Sequence, residues 1–230
     1  MVSFAKPTYA ILGLGRFGTA LARELMAGGA TVVGVDANEA KVAHNNGILS
    51  QVVCADSTDI QALSDLGIDE FTGVVVAIGG EHVEASILTC SLLRDMNVTN
   101  LWAKSSGTAH DRILRQIGIP HIVYPEVAMG RRIAHLLLGA SLDYVELSDG
   151  MAIIQTAIPA RLAARPIDEN RLWRREGVKI ISQLTETGWQ PIIGQPNLAE
   201  GTEIQAYGPI KRLDTFAKGA VAKYPKNPVQ

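Results

Sequence analysis

One glycine-rich segment near the start of the chain constrains the fold more than any other feature. A short apolar run, Tyr9 to Leu12, is followed at once by Gly13-Leu14-Gly15-Arg16-Phe17-Gly18 and then by a helical pattern rich in Ala and Leu. A second apolar run, Thr31 to Val35, leads directly to Asp36. A strand, a glycine-rich turn, a helix and a second strand that ends in an acid are typical of a nucleotide-binding βαβ unit.

Each glycine of this turn has its own physical role in such a unit. Gly13 permits the tight turn, Gly15 lets the backbone come close to a phosphate, and Gly18 lets the helix lie against the strand. The N–H groups at the start of the helix then face an anion. Asp36 lies where its carboxylate can accept hydrogen bonds from ribose hydroxyls. A glycine-rich turn that binds nothing is the alternative.

Strands and helices continue to alternate up to Val123. Further apolar runs predict strands at residues 50–54, 73–78, 101–104 and 121–123, with helices between them. Asn38 is expected to cap the second helix, and Ser57 or Thr58 the third. This alternation predicts an α/β domain over residues 1–125, built on a Rossmann-like, doubly wound parallel sheet.

The ligand of such a sheet binds at the carboxyl ends of its strands. The candidate site therefore consists of the turns that follow the predicted strands: Gly13 to Gly18, Asp36 to Asn38, Ala55 to Ser57, Ile78 to Gly80, and Lys104-Ser105.

The pattern changes after Pro125. Met129 to Ala140 predicts one more helix, so residues 126–141 are interpreted as a connector. Residues 142–218 predict a smaller α+β domain with a hairpin turn at Asp149-Gly150. Residues 219–230 have no apolar period and are expected to form a frayed tail.

Composition excludes several classes of protein. A net charge of −2 over 230 residues and 5% aromatic residues argue against a nucleic-acid-binding surface. No apolar run is long enough to cross a bilayer and the first residues lack the core of a signal peptide, which predicts a cytoplasmic protein. Cys54 and Cys90 lie in apolar segments and are expected to be small buried residues rather than a disulfide or a metal pair.

A nicotinamide-dependent oxidoreductase would need an acid or base at the reacting carbon. Tyr207 and Lys211 have the spacing of short-chain reductases, but Gly208-Pro209 between them forbids the helical turn that this pair requires. The histidines are scattered without metal-ligand spacing. His110 alone, at the start of the helix after Lys104, is a candidate for contact with a ligand. We therefore predict no catalytic residue.

Three charged side chains stand out near the predicted site. Arg16 offers paired donors that suit a terminal phosphate or the ligand of a second subunit, and a solvent-facing arginine is the alternative. Lys104 ends a buried strand, which favours a ligand or an acidic partner. Glu126 begins the connector, where it is either a ligand of a cation or a helix-start carboxylate favoured by the helix dipole.

The order and spacing of several short segments resemble one protein family. ILGLGRFG, VDANEAKV, VVVAIG, ASILT, LWAK, ILRQIG and YPEVAMG look like the cytosolic regulatory subunits of Ktr-type potassium transporters, which are RCK-domain (TrkA-N plus TrkA-C) proteins. The resemblance covers nearly the whole chain, although residues 142–216 match the smaller RCK C-terminal lobe in pattern only.

The resemblance implies a regulatory protein rather than an enzyme. Such subunits form dimers that assemble into rings, commonly octamers, on the cytosolic face of a membrane potassium-translocating subunit of the KtrB type. ATP favours the conducting state and ADP the inactive one, while NAD(H) binds some members and cyclic di-AMP binds the C-terminal lobe of others. An NAD(H)-dependent oxidoreductase and an NADH redox sensor remain the alternatives.

The resemblance also implies a set of site residues. Gly13, Gly15, Arg16, Phe17 and Gly18 would surround the phosphates, Asp36 and Asn38 would hold the ribose, and Asp56 and Ser57 would flank the adenine. Ile78, Gly79, Lys104 and His110 would complete the pocket. Glu126 would help to bind Mg²⁺ or Ca²⁺ near the phosphates, and the connector helix would swap between protomers. The turn at Gly79 to Val83 is one residue longer than the family pattern.

Overall fold

A computed structural model describes residues 6–138 and 142–218 and divides the chain into two compact units, Met1–Pro125 and Glu126–Gln230. We call these the N-terminal and the C-terminal unit. The predicted tail at residues 219–230 and the last residues of the predicted connector lie outside the described residues. No helix in the described ranges is both long and apolar enough to cross a membrane.

The N-terminal unit contains a parallel sheet of six strands in the order β3-β2-β1-β4-β5-β6. The strands are β1 (Thr8–Leu12), β2 (Thr31–Asp36), β3 (Gln51–Cys54), β4 (Gly73–Val76), β5 (Leu101–Lys104) and β6 (His121–Val123). The helices are α1 (Arg16–Ala27), α2 (Glu39–Asn45), α3 (Ile60–Asp65), α4 (Val83–Asp95) and α5 (Thr108–Gln116). The predicted Rossmann-like fold is thereby confirmed.

Both faces of the central strands are buried. Ile11 belongs to an apolar cluster on one face of the sheet, whereas its neighbour Leu12 belongs to the cluster on the other face. Val75 and Val76 of the adjacent strand divide in the same way. Successive residues of a strand point to opposite faces, so a continuous apolar run is what a sheet covered by helices on both sides requires.

Two glycines of the turn after β1 are required by the fold itself. A Cβ atom on Gly18 would lie 2.0 Å from the carbonyl oxygen of Gly13, so α1 can approach the turn this closely only without a side chain there. Gly13 has a φ of +104°, which favours glycine, and a Cβ on it would lie 3.0 Å from the backbone after β4. Gly15 differs, because its φ is −74° and no atom lies within 4 Å of its Cβ position.

The helix caps confirm one prediction and contradict another. The side-chain oxygen of Asn38 accepts hydrogen bonds from the first N–H groups of α2, as predicted. The prediction that Ser57 or Thr58 caps α3 is wrong, because Asp59 is the capping residue and accepts from the N–H of Gln61 at 2.9 Å. A local turn around Asp56 delays the start of the helix by using Thr58 as a donor.

The cysteine prediction holds for only one of the two residues. Cys90 is buried, and burial raises the pKa of its thiol to about 12. Cys54 is exposed, contrary to expectation, because β3 is the edge strand of the sheet and its last residue faces solvent. Both cysteines are free thiols.

The C-terminal unit contains an antiparallel sheet of five strands in the order β10-β9-β11-β8-β7. Its elements are α6 (Pro125–Leu137), β7 (Asp143–Glu146), β8 (Met151–Ala157), α7 (Glu169–Glu176), β9 (Lys179–Thr185), β10 (Gly188–Pro191), β11 (Glu203–Pro209) and α8 (Ile210–Ala217). The predicted hairpin between β7 and β8 is present, with Asp149 at a φ of +58°. Apolar residues such as Ile180, Ile204 and Phe216 form the core of this unit.

Two features of this unit differ from the prediction. Helix α6 begins at Pro125 rather than at Met129, because proline is well tolerated in the first turn of a helix. Strand β10 was not predicted, since it is short, largely exposed and ends in Pro191, which is permitted at a sheet edge.

Helix α6 is joined to β7 by charged side chains at its surface. Arg131 lies 3.2 Å from the carboxylate of Glu146, and Arg132 lies 2.9 Å from that of Asp143. No residue of α6 is buried, and several of its apolar side chains are about half exposed or more: Val127, Met129, Ile133 and Leu137. This apolar surface is available to another element or molecule.

We expect Gly18→Ala to lower the free energy of unfolding of the N-terminal unit by about 2 kcal/mol or more. The added methyl group would overlap the Gly13 carbonyl oxygen, and such overpacking outweighs the better helix propensity of alanine. Thermal unfolding followed by circular dichroism measures the loss as a fall of several degrees in melting temperature. Gly15→Ala, in the same turn, is the matched control and should cost no more than about 1 kcal/mol, which is the loss expected when alanine replaces glycine at a helix N-cap. Equal melting temperatures for Gly18→Ala and wild type would contradict this account of the turn.

Candidate functional site

The predicted site residues of the N-terminal unit lie on turns at one edge of the parallel sheet. The glycine turn follows β1, Asp36 ends β2, Ile78 and Gly79 follow β4, and Lys104 ends β5. These four strands are neighbours in the order β2-β1-β4-β5, so their carboxyl ends lie side by side. Strand β1 lies between β2 and β4, so the connections after β1 and before β4 run to opposite sides of it. Doubly wound sheets bind ligands in the crevice where the strand order reverses in this way.

The start of α1 presents backbone donors to open space. Its capping residue, Gly15, makes no side-chain hydrogen bond, and the first turn contains no acidic residue. A Cβ atom on Gly15 would lie more than 4 Å from every protein atom outside its two chain neighbours. Arg16, the first residue of the helix, is exposed, whereas Phe17 is half-buried. Uncapped N–H groups, the positive end of the helix dipole and an arginine together favour an anion here.

Asp36 is almost buried and already accepts several hydrogen bonds. Its Oδ2 accepts from the N–H of Leu14 at 2.8 Å, and its Oδ1 accepts from the N–H of Asn38 at 2.9 Å. The Nζ of Lys41 lies 3.1 Å from Oδ2. The carboxylate therefore joins the end of β2 to the glycine turn, a structural role that sequence reasoning did not identify.

The side chains of the other residues assigned to ribose and adenine are engaged within the protein. The side-chain oxygen of Asn38 caps α2. The Ser57 hydroxyl is buried and lies 3.0 Å from the Thr89 hydroxyl of α4, so a contact between Ser57 and a base would involve its backbone. Asp56 is exposed, and hydrogen bonds from Thr58 lower the pKa of its carboxyl group.

The turns after β4 and β5 meet next to the start of α1. A Cβ on Gly79 would lie 3.3 Å from the Nζ of Lys104 and 3.0 Å from the Oγ of Ser106. The Lys104 ammonium is also 6.0 Å from the centroid of the Phe17 ring, within the range of a cation–π contact. The structure therefore brings Lys104, Gly79 and the first turn of α1 together, as the prediction of a shared site requires.

Ser106 was missed by the sequence analysis. Its Oγ accepts a hydrogen bond from the N–H of Gly80 at 3.1 Å, and its own N–H donates to Nδ1 of His110 at 3.2 Å. Ser106 therefore links the turn after β4 to the turn after β5. A serine directly after the predicted strand-end turn at Lys104-Ser105 was the available signal.

His110 supports this loop from within the protein. It is 3% exposed, its Nδ1 accepts from Ser106, and its buried Nε2 has no partner among the described residues. Burial lowers the pKa of the imidazole, which keeps it neutral at physiological pH. Its predicted contact with a ligand stays a prediction, and the visible role of the side chain is to hold the loop after β5.

The prediction of a divalent cation at Glu126 also stays a prediction. Glu126 lies in the first turn of α6, where the helix dipole favours a carboxylate. Within residues 6–138 and 142–218, no group of three or more His, Cys, Asp or Glu side chains is placed to hold a metal ion. A cation at Glu126 would need further oxygen ligands beyond these side chains, for example from water.

Comparison with known proteins assigns the chain to a family. The TrkA-N domain family matches residues 9–125. The chain is 36% identical to Ktr system potassium uptake protein C of Bacillus subtilis, over 77% of this chain and 80% of that protein. It is 34% identical to Ktr system potassium uptake protein A of Vibrio alginolyticus, over 75% of this chain and 79% of that protein.

Solved structures agree on the fold. The GsuK channel superposes on 98% of this chain with a TM-score of 0.62 and 17% identity. The GsuK channel bound to NAD superposes on 93% of this chain with a TM-score of 0.51 and 22% identity. This chain spans 41% and 38% of those two chains, so the likeness concerns architecture alone.

The family match covers half of the chain, and the identity to the Ktr proteins extends over most of their length. This chain therefore belongs to the TrkA-N family and is a homologue of the Ktr-system potassium uptake proteins.

Proposed function

We propose that this chain is a nucleotide-sensing regulatory subunit of a membrane potassium transporter, bound to the cytoplasmic face of a KtrB-like translocating subunit. Its homologues are named as potassium uptake proteins, which supports the transport role. In this proposal the effector is ATP or ADP, bound at the edge of the parallel sheet, and the protein is not an enzyme. NAD(H) is the competing ligand, because one solved chain of similar fold is a channel bound to NAD.

The observation that carries the proposal is the open space at Gly15. The fold requires glycine at position 18 for packing and at position 13 for conformation, but it places no such demand on position 15. The turn nevertheless leaves a side-chain volume empty beside the uncapped start of α1. A phosphate in this volume would accept from the N–H groups of the first turn and lie near Arg16 and Lys104.

The remaining contacts follow from the same placement. With phosphates at the start of α1, the ribose would reach Asp36 at the end of the neighbouring β2, and the base would lie toward the turn at Asp56 and Ser57.

ATP and ADP differ by one phosphate, so a group that distinguishes them must contact that phosphate. Arg16 is exposed beside the turn and is the candidate for this role.

The apolar surface of α6 supports assembly of several copies. Val127, Met129 and Ile133 are about half exposed in one chain, and burying them against a second copy would remove this surface from water. We propose a homodimer that assembles into an octameric ring, in which a carboxylate such as Glu126 binds Mg²⁺ or Ca²⁺ together with the phosphates. Cyclic di-AMP remains a candidate ligand of the C-terminal unit.

The first test is Gly15→Ala. Its methyl group meets no protein atom, so the fold should be retained, but it would occupy the volume assigned to a phosphate. We expect calorimetric affinity for ATP and NADH to fall at least about tenfold, equivalent to 1.4 kcal/mol. Gly130→Ala is the control, because this helical glycine of α6 is also surrounded by open space and lies in the other unit. Unchanged affinity in a folded Gly15→Ala protein would refute the phosphate position.

The second test is Arg16→Ala, which separates ATP from ADP. Loss of a charge-assisted hydrogen bond costs about 1.5–3 kcal/mol, so ATP affinity should fall by about ten- to a hundredfold while ADP affinity is nearly retained. Arg16→Lys should restore only part of the difference, because a point charge lacks the planar fork of arginine. The measurement is ATP- against ADP-stimulated potassium flux in vesicles that carry the membrane subunit.

Arg23→Ala is the control for Arg16, since Arg23 is exposed on the same helix. If Arg16→Ala keeps full activation by ATP over ADP, the discriminating group lies elsewhere, and Lys104 is the next residue to change.

The third test is Glu126→Gln. We expect ATP to bind as before, while the dependence of potassium flux on Mg²⁺ or Ca²⁺ disappears, because a neutral amide is a poor ligand for hard cations. Glu169→Gln is the control, as it removes a first-turn carboxylate from α7 of the same unit. Flux that still rises with cation as in wild type would leave Glu126 as a helix-start carboxylate only.

A further inference from the structure

The carboxylate of Asp36 is saturated by donors from its own chain. Oδ2 accepts from the N–H of Leu14 at 2.8 Å and from Nζ of Lys41 at 3.1 Å. Oδ1 accepts from the N–H of Asn38 at 2.9 Å and from the same Nζ at 3.4 Å. A carboxylate offers about four acceptor positions, and these contacts use all of them.

Only one of these donors can leave without disturbing the fold. The N–H of Leu14 belongs to the glycine turn, and the N–H of Asn38 belongs to the residue that caps α2. Both are backbone groups held by surrounding structure. The Lys41 side chain is 44% exposed, whereas that of Asp36 is 8% exposed. The Lys41 ammonium is carried on a flexible side chain and can return to water.

We propose that Lys41 is an internal competitor for the ribose position of this site. The inference rests on the proposed function, in which a ribose with neighbouring 2′- and 3′-hydroxyls donates to Asp36. To do so, the two hydroxyls must take over the two acceptor positions that Lys41 holds. Binding of the ribose therefore includes release of the Lys41 ammonium, and Lys41 determines how much the diol contributes to affinity.

The size of the effect follows from the exposure of the pair. Partly exposed ion pairs contribute little to stability, so their release reduces the affinity for a ribose diol by about two- to fivefold. The effect should be confined to ligands with the diol. It should also decrease as salt concentration rises, because salt screens the Lys41–Asp36 pair more than the hydrogen bonds of neutral hydroxyls.

The test compares ATP with 2′,3′-dideoxy-ATP by calorimetry, using the whole 230-residue chain. The quantity of interest is the ratio of the two dissociation constants, dideoxy-ATP over ATP, since both ligands carry the same phosphates. We expect Lys41→Met, which keeps an unbranched side chain one atom shorter and without the charge, to raise this ratio about two- to fivefold. Increasing KCl should raise the ratio for wild type but not for Lys41→Met.

Arg23→Met is the control, because it removes a positive charge from the same unit at an exposed position of α1. Its ratio should equal that of wild type even if both affinities change. A ratio lower than that of wild type in Lys41→Met would show that the lysine assists ribose binding. A ratio equal to that of wild type would show that the lysine does not affect ribose binding. Either result overturns the inference while leaving nucleotide binding intact. Failure of the wild-type chain to bind any nucleotide would overturn the proposed function and this inference together.

Discussion

The hydrogen bond from the Leu14 N–H to the Asp36 carboxylate is the contact on which the candidate site depends. It joins two neighbouring strands at their carboxyl ends and sets the glycine turn in place before any ligand arrives. Because the carboxylate is almost buried, loss of this acceptor would leave a backbone donor without its partner. A substitution at Asp36 therefore changes both the shape of the site and its chemistry, whereas substitutions at Gly15 or Lys41 address the chemistry with less effect on the fold.

The architecture was predictable because its signals are local and strong. The buried strands are continuous apolar runs, and the turn glycines follow β1 without interruption. Two local predictions, the helix cap at Ser57 and the burial of Cys54, were wrong because tertiary structure decides the outcome at these positions. Ser57 is a good capping residue by type, yet its hydroxyl pairs with Thr89 of a helix more than thirty residues away in sequence. Cys54 belongs to an apolar run, but its strand is at the edge of the sheet, and the position of a strand within a sheet is not a local property.

The site was predictable as a set of turns but not as a set of contacts. Strand ends can be read from the sequence, and the ends of the fourth and fifth predicted strands place Gly79 and Lys104 at the same edge of the sheet. The role of Ser106 depends on the approach of the turn after β4, and the pairing of Lys41 with Asp36 depends on the orientation of α2. The first is a tertiary contact between residues 26 apart in sequence. The second is local, between residues five apart, but residue spacing alone does not predict it. The hydrogen bond from the Ser106 N–H to the buried His110 is likewise set by the path of the loop after β5, and the predicted contact of His110 with a ligand stays a prediction.

The contrast between Gly15 and Gly18 has a consequence for the divergence of this turn. A lineage that does not bind the proposed ligand could exchange Gly15 for another residue and still fold, because neither backbone conformation nor packing requires glycine there. The same lineage would retain Gly18, since selection for a folded chain alone preserves it. A homologue that keeps Gly18 but not Gly15 would therefore be expected to retain the fold while lacking the phosphate position proposed for this chain.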